Sequence, residues 1–549
     1  MTWHSRVFPP HTGGFVRDLS QEGEGILALN SPDPAWQGRV LFLPDTVPGD
    51  EIEVLAYKTS GKRLAVTDYK LVQPSPDRQD AFCPHFGRCG GCQLQGMTYQ
   101  ATLAWKRKHV ADLLQRMAKL PISADAVKPC LRPAQPWAFR SIVRLHVNPL
   151  GQLCFYGRKT QELIPIDNCP IQSDQVNRLR QLVQALLMDQ PSSEVAKLTS
   201  LEMRQNAAGD AFMLTFNFHA QPLAPDWQDF FTQVRDQAGE LLGQASLSLW
   251  LAIGEDYVHI AGPQHLRMTE NGLDFDFSPR VFQQTNLQLN QVLYQEVVKA
   301  AQVVADVQAV GTSPVGLARE RATAGTELGG PAARRSLGTQ SDSFKVLELY
   351  CGSGTISLHL AQAFPEAQIT GVEIVPEAIA DAKHNAELNS LASDRLHFVV
   401  GDAGQALCKS KQPASTQLSG ESQATRPASV PRGNLSGEIH SQSTDQAYVH
   451  TTDLNSSRPI YNLLVVDPPR QGLDPQLCQD ILASNIPHII YVSCDPATLA
   501  RDLQTLKQAY SPQSIQPLDM FPWTTHVETV ILMSHRMQEN NGIREGGPA

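Results

Sequence analysis

Lys345-Val346-Leu347-Glu348-Leu349-Tyr350-Cys351-Gly352-Ser353-Gly354-Thr355 is the stretch on which the reading of this chain turns. It opens as an apolar strand pattern and breaks into a glycine turn, after which Ile356-Ser357-Leu358-His359-Leu360-Ala361 starts a helix. Glycines at a strand-to-helix turn let backbone approach a ligand closely. The next strand pattern, Ile369-Thr370-Gly371-Val372-Glu373, ends in a carboxylate 21 positions after Gly352. An acid that holds ribose hydroxyls is expected about 20 positions on.

A dinucleotide fingerprint asks for a third glycine three residues after Gly354, where this chain has Ser357. A pyrophosphate needs that seat on the helix end. S-adenosylmethionine has no phosphate and needs only the turn and the ribose acid, so the departure points to this methyl donor. A third strand, His397-Phe398-Val399-Val400-Gly401-Asp402, brings Asp402 to its tip, suited to an adenine amino group. A plain α/β turn with no ligand is the alternative.

Outward from this stretch, helix and buried-strand patterns alternate from about residue 280 to the end, the signature of a parallel, Rossmann-like sheet. Segments 305–343 and 409–458 lack apolar periodicity and are expected to be disordered insertions. Residues 1–75 read as short strands punctuated by turns, an OB-like β-barrel: Phe15–Leu19, Val40–Pro44, Glu51–Tyr57 and Arg63–Tyr69. Residues 76–280 read as a central α+β domain, with a helix over about 99–120 that could pack on the catalytic domain. The α/β domain is drawn at 281–535 and a tail at 536–549.

The catalytic end lies further along the sheet. Tyr461–Val466 is a fourth buried strand that runs into Asp467-Pro468-Pro469-Arg470. Enzymes that methylate exocyclic amino groups place an aromatic after Asp/Asn-Pro-Pro; Arg470 stands there instead, which weakens that reading. A fifth strand ends in Ser493-Cys494-Asp495-Pro496, and Phe521-Pro522-Trp523-Thr524-Thr525-His526-Val527-Glu528 follows. Uracil C5 is a poor nucleophile until a thiolate adds at C6. After methylation a base must remove the C5 proton before the thiol leaves. The reaction needs a thiolate, a methyl donor and a carboxylate. Cys494 and Glu528 supply the first and last. Glu528 is flanked by Val527 and Val530, so burial is expected to raise its pKa. The alternative use of Cys494 is as a small buried hydrophobe.

Cys83, Cys89 and Cys92 are spaced with five and two residues between them, and Cys169 precedes Pro170. Four thiols suit zinc or an iron–sulfur cluster, and the triad plus a distant Cys-Pro favours the cluster. Cys130, Cys154, Cys351, Cys408 and Cys478 read as structural. Between Ala104 and Thr160 there are eleven Lys/Arg against two Asp, with Trp105, Trp137, Phe139, Phe155 and Tyr156 interleaved. Lys106-Arg107-Lys108, Arg140, Arg144, Arg158 and Lys159 therefore read as an RNA face, with a solvated helix face as the alternative for the lysines. The net charge of −10 argues against a generally basic coat. No apolar run reaches a membrane span and the N-terminus has no apolar leader, so a cytoplasmic protein with reduced cysteines is expected.

The motifs together resemble those of bacterial RNA 5-methyluridine methyltransferases that carry an N-terminal TRAM domain and a [4Fe–4S] cluster. The resemblance covers nearly the whole chain apart from the two insertions and the tails. It implies TRAM over residues 10–75 and cluster ligands Cys83, Cys89, Cys92 and Cys169. It implies donor contacts at Gln284 (in Phe282-Gln283-Gln284-Thr285-Asn286), Tyr350, Thr355, Glu373, Asp402 and Asp467. Many members have Asn at the position of Thr355. The resemblance makes Cys494 the nucleophile, with Asp495 where the family has Asn, and Glu528 the base. The activity it implies is uracil-C5 methylation of RNA, 23S rRNA as substrate, by a monomer with no membrane partner. The rival readings are tRNA uridine C5 methylation, nitrogen methylation through Asp467-Pro468-Pro469, and a cluster-bearing RNA-binding protein without activity.

Overall fold

A computed structural model describes residues 5–7, 12–31, 33–34, 36–60, 63–220, 224–310, 344–407 and 461–536. At the N-terminal end, five strands close into a barrel: Gly13–Leu19, Gly25–Ala28, Val40–Leu43, Glu51–Ser60 and Arg63–Gln73. Ser5–Val7 adds to Glu51–Ser60 from outside. Alternation along each strand turns Val16, Leu27, Leu41, Leu43, Ile52 and Val54 into the barrel, where they form its core. The fold is that of the expected OB-like domain. Gly25 starts the second barrel strand.

A seven-stranded central sheet follows, in the order Asp256–Ala261, Ser246–Ile253, Ala211–Phe218, Leu198–Gln205, Ile142–Val147, Leu153–Tyr156, Leu163–Pro165. Helices Asp174–Met188 and Ala224–Leu242 contribute Val176, Leu179, Val183, Phe230 and Val234 to the core beneath it.

The C-terminal sheet has the order Leu396–Val400, Gln368–Glu373, Lys345–Leu349, Leu463–Val466, His488–Ser493, Glu528–His535, Tyr510–Leu518. Its first five strands are parallel. Glu528–His535 pairs antiparallel with both its neighbours. Leu463, Leu464, Val465 and Val466 are all buried, as strands covered on both faces must be. On one face lie helices Leu287–Val310, Thr355–Ala363 and Pro376–Leu388; on the other lie Pro475–Ser484, Pro496–Leu506 and Tyr99–Arg116. The helix Tyr99–Arg116 thus packs on the catalytic sheet through Val110, Ala111 and Leu114. The hairpin Leu266–Glu270 with Leu273–Phe277 also joins this core, through Met268, Phe275 and Phe277.

One expectation is corrected. Residues 305–310, placed in an insertion, are the last turns of the helix Leu287–Val310. Leu289, Leu293, Val297, Ala301 and Val304 form a stripe that Val307 continues. The remainder of both insertions, with Cys408, lies outside the described residues.

Candidate functional site

The donor crevice forms where the first strand of the C-terminal sheet runs out. Tyr350 has φ +65°, a conformation unusual for an aromatic residue, and Gly352 and Gly354 follow at +52° and +78°. A Cβ on Gly354 would stand 2.8 Å from the Phe398 ring and 3.0 Å from Ala382 Cβ, so the turn is closed to any side chain. The Glu373 carboxylate accepts from the Gly352 amide at 3.2 Å and the Val375 amide at 3.0 Å, which holds it across the glycine turn. Asp402 is exposed and caps its short helix, with Oδ1 taking the Gly404 and Gln405 amides. Thr355 is the first residue of the helix after the turn, and Asp467 follows the neighbouring strand. Tyr350, Thr355, Glu373, Asp402 and Asp467 thus meet at the carboxyl ends of adjacent parallel strands, where open α/β sheets bind ligands. Gln284 is half-buried in the loop before Leu287. That loop is tied to Met520 by the Asn286 side chain, 3.0 Å from the carbonyl.

Two strands along, the register places Ser493 opposite Thr529, so Cys494 and Glu528 leave the same sheet end side by side. Burial pushes the half-buried Cys494 thiol up to about 12, and the Glu528 and Asp467 carboxylates push the same way. Arg470 opposes them. Glu528 is 1% exposed, and neither of its oxygens has a hydrogen-bond partner. Burial, and then Asp467, hold its carboxyl well above the usual range, again against Arg470. Asp467 is raised by burial too. A fully buried carboxyl with no partner is costly in a fold and marks a place where something else is to be met. Arg470, noted in sequence only for not being aromatic, is the cation of this mouth. Asp495 caps the helix Pro496–Leu506 and accepts from Gln21 at 3.1 Å, which brings a barrel loop against the cysteine motif.

Cys83, Cys89, Cys92 and Cys169 line one cavity, together with His85, Arg140, Phe155, Ile166 and Ile171. Burial raises Cys92 to about 12 and Cys169 to about 11, each pushed further by neighbouring thiols. Among the described residues no group of three or more Cys, His, Asp or Glu is gathered tightly enough to hold one metal ion. A single zinc, with Zn–S about 2.3 Å, would need the sulfurs within about 4 Å of each other. Four thiols around a space, with the Arg140 cation beside Cys89 and Cys169, suit a larger anionic group better than one ion. Cys154, Cys351 and Cys478 are buried as small hydrophobes.

The expected RNA face is corrected at Lys106, Trp105 and Phe139, which are buried, while most of its other cations are drawn into ion pairs. Lys106 is fully buried and ion-paired with Asp519. Lys108 pairs with Asp18 and Asp112, Arg144 with Glu202, Arg158 with Asp45, and Lys159 with Glu22 and Glu24. Trp105 and Phe139 are buried. Trp137 and Tyr156 are 42% and 45% exposed, with one side of each ring packed, on Trp523 and on His146. A local run of positive residues carries no information about the acids that folding brings to it. No helix is long and apolar enough to cross a membrane among the described residues.

The chain matches the tRNA (Uracil-5-)-methyltransferase family over residues 435–536 and a methyltransferase domain over 340–419. It is 28% identical to an uncharacterized RNA methyltransferase of Halalkalibacterium halodurans, over 94% of this chain and 95% of that one. It is 27% identical to one of Listeria innocua, over 95% and 97%. Among solved structures, the tRNA (uracil-54, C5)-methyltransferase of Pyrococcus abyssi, in complex with S-adenosyl-L-homocysteine, superposes with a TM-score of 0.60. That match is 20% identical and covers 95% of this chain and 100% of the other.

Proposed function

We propose, for a chain that belongs to the RNA 5-methyluridine methyltransferase family, that it methylates uracil C5 in 23S rRNA through Cys494 and Glu528. The observation that carries the reading is the pair at the sheet end: a thiol beside a buried carboxyl whose two oxygens lack partners, next to the donor crevice. Bound S-adenosylmethionine supplies the methyl group, held by Gln284, Tyr350, Thr355, Glu373, Asp402 and Asp467. Its sulfonium charge would lower the raised acid constants around it, which helps both Cys494 and Glu528 reach their charged forms. The Cys494 thiolate adds to C6, and the ring electrons move onto the C4 oxygen, making C5 nucleophilic. C5 takes up the methyl group as the bond between the methyl carbon and the donor sulfur breaks, S-adenosylhomocysteine is left as a neutral thioether, and Glu528 then takes the C5 proton. That electron pair forms the C5–C6 double bond and the C6–S bond breaks.

Cys83, Cys89, Cys92 and Cys169 would hold a [4Fe–4S] cluster, which when bound staples the 83–92 loop to Cys169. The barrel is read as the TRAM RNA-binding domain, and the enzyme as a cytoplasmic monomer. A target base within a stem would have to be flipped out to reach Cys494. A second reading, a tRNA uridine as substrate, is favoured by the substrate of the Pyrococcus abyssi enzyme. RNA containing 5-fluorouracil is expected to trap a denaturation-resistant adduct with the native protein and none with Cys494→Ala. An adduct with the alanine variant would defeat the mechanism. Labelled methyl transfer to undermodified 23S rRNA and to tRNA separates the two substrates.

A further inference from the structure

The buried lysine that the RNA-face reading could not absorb is placed to act on the reaction from a distance. Lys106, on the helix Tyr99–Arg116, is fully buried, as is Asp519. An ammonium has three donors, and all three are taken. One goes to Asp519 Oδ1, one to the Phe521 carbonyl at 3.0 Å, and one to the His526 carbonyl at 2.6 Å. Every acceptor belongs to the segment 519–526, which leads directly into the strand that Glu528 opens. Asp519 also accepts the Tyr99 hydroxyl at 2.7 Å, from the same helix.

The segment needs holding. Trp523 sits at φ +65°, a costly backbone for a bulky residue. Its carbonyl accepts the Gln93 and Leu94 amides, both at 2.9 Å, and its indole donates to the Pro136 carbonyl at 2.8 Å. Those contacts fix the middle of the loop. Lys106 ties its beginning, at Asp519 and Phe521, to its end at His526, two residues before Glu528; within the loop the Thr524 hydroxyl spans Phe521 and His526 as well, but among the described residues only Lys106 links both to the helix Tyr99–Arg116. The Glu528 carboxyl has no hydrogen bond to set its position. Where its carboxyl points is therefore decided by the backbone that enters the strand.

We infer that Lys106 is a positioning residue for the proton-removal step: it fixes the 519–526 loop so that Glu528 faces C5 of the Cys494-bound pyrimidine. This rests on the uracil-C5 reading above. Lys106 makes no bond to the Cys494 motif or to Tyr350, Glu373 and Asp402; the Gln284 loop, which reaches Met520 in this segment through Asn286, also keeps its own tie to Ser141 through the Thr285 carbonyl. Without Lys106, addition of Cys494 to C6 and methylation would proceed, while loss of the C5 proton and release of the thiol would lag.

The test is Lys106→Met in the full chain, with unmodified uracil-containing RNA and methyl-labelled donor. Turnover is expected to fall about 100-fold, the scale of a 1 Å misplacement of a catalytic group. KM for RNA and donor is expected to fall along with turnover, leaving kcat/KM within about threefold, because the slowed step follows methyl transfer and the adduct builds up. The label is expected to accumulate in a denaturation-resistant protein–RNA adduct that hardly persists in the native enzyme. Should Lys106→Met fail to fold, Tyr99→Phe carries the same test, with a fall of about 3- to 10-fold for one lost hydrogen bond. Unchanged turnover, or an adduct that declines in step with turnover, would overturn the inference. If the native protein itself forms no adduct with 5-fluorouracil RNA, the uracil-C5 reading fails and this inference with it. If that adduct forms normally and only the Lys106 result is negative, the reading stands and the positioning role falls.

Discussion

Two places in this molecule hold partly buried thiols, and their acid constants hardly tell them apart. Cys494 and Cys92 are both pushed up to about 12, and Cys169 to about 11, in each case chiefly by burial. Their surroundings differ. The thiols of the cavity face one another, apolar Ile166 and Ile171, and the cation Arg140. Cys494 faces two carboxyls, Glu528 and Asp467, and the cation Arg470. Four convergent thiols offer equivalent ligands, with no carboxyl among the residues that line the cavity. One thiol beside an unpartnered carboxyl offers a nucleophile and a base. The chemistry of the neighbours, more than the titration of the sulfur, separates a holding site from a reacting one.

The largest expected contrast comes from removing one sulfur at each place. Cys494→Ala is expected to abolish methyl transfer with donor affinity and melting midpoint unchanged. On the proposal that the cavity holds a cluster, Cys169→Ser is expected to bind less iron and to lower the melting midpoint by about 5 °C or more, because a bound metal group contributes directly to folding. If Cys494→Ala melted early and Cys169→Ser did not, the assignment of roles would be reversed.

Alkylation of Cys494 gives a smaller, finer measurement. The thiolate reacts, and with the thiol held near 12 its fraction at pH 8 is small. The rate of modification by iodoacetamide is expected to climb about tenfold per pH unit from pH 8 to pH 10. Bound donor, with its positive sulfonium, is expected to raise the rate at pH 8. A plateau already present at pH 8 without donor would show that Arg470 outweighs the carboxyls.

The smallest effect concerns stability. Glu348 lies fully buried in the strand that runs into the glycine turn, takes the Ser357 hydroxyl, and is raised to about 8 by burial. A carboxyl raised in the folded state binds more protons folded than unfolded between about pH 4 and pH 8. Stability therefore falls as pH rises through that window. Glu348→Gln is expected to gain about 1–3 kcal/mol relative to the native chain at pH 8 and little at pH 5, read by denaturant unfolding. An equal change at both pH values would remove Glu348 from the charge balance of the crevice.

Much of this was legible before folding. The glycine turn at Gly352–Gly354, the carboxylate at Glu373 and the thiol after His488–Ser493 are local patterns, written in the order that strands and turns impose. Lys106 was misread because its partner Asp519 lies 413 residues away, and nothing near Lys106 announces it. Residues 305–310 were misread because a helix end with one buried valine per turn looks, by composition, like the segment that follows it.

What the sequence by itself determined was the set of elements: short barrel strands, alternating helices and buried strands, and the reactive groups at strand ends, all following from periodicity and turn chemistry within a few residues. What only the tertiary structure decided was which of those groups meet. The antiparallel register of Glu528–His535 against His488–Ser493 sets Glu528 beside Cys494. The convergence of Cys169 on the 83–92 loop, and the burial of Lys106 among carbonyls of a distant loop, are decided the same way. These are long-range choices, made by how whole faces pack, and no local pattern encodes them.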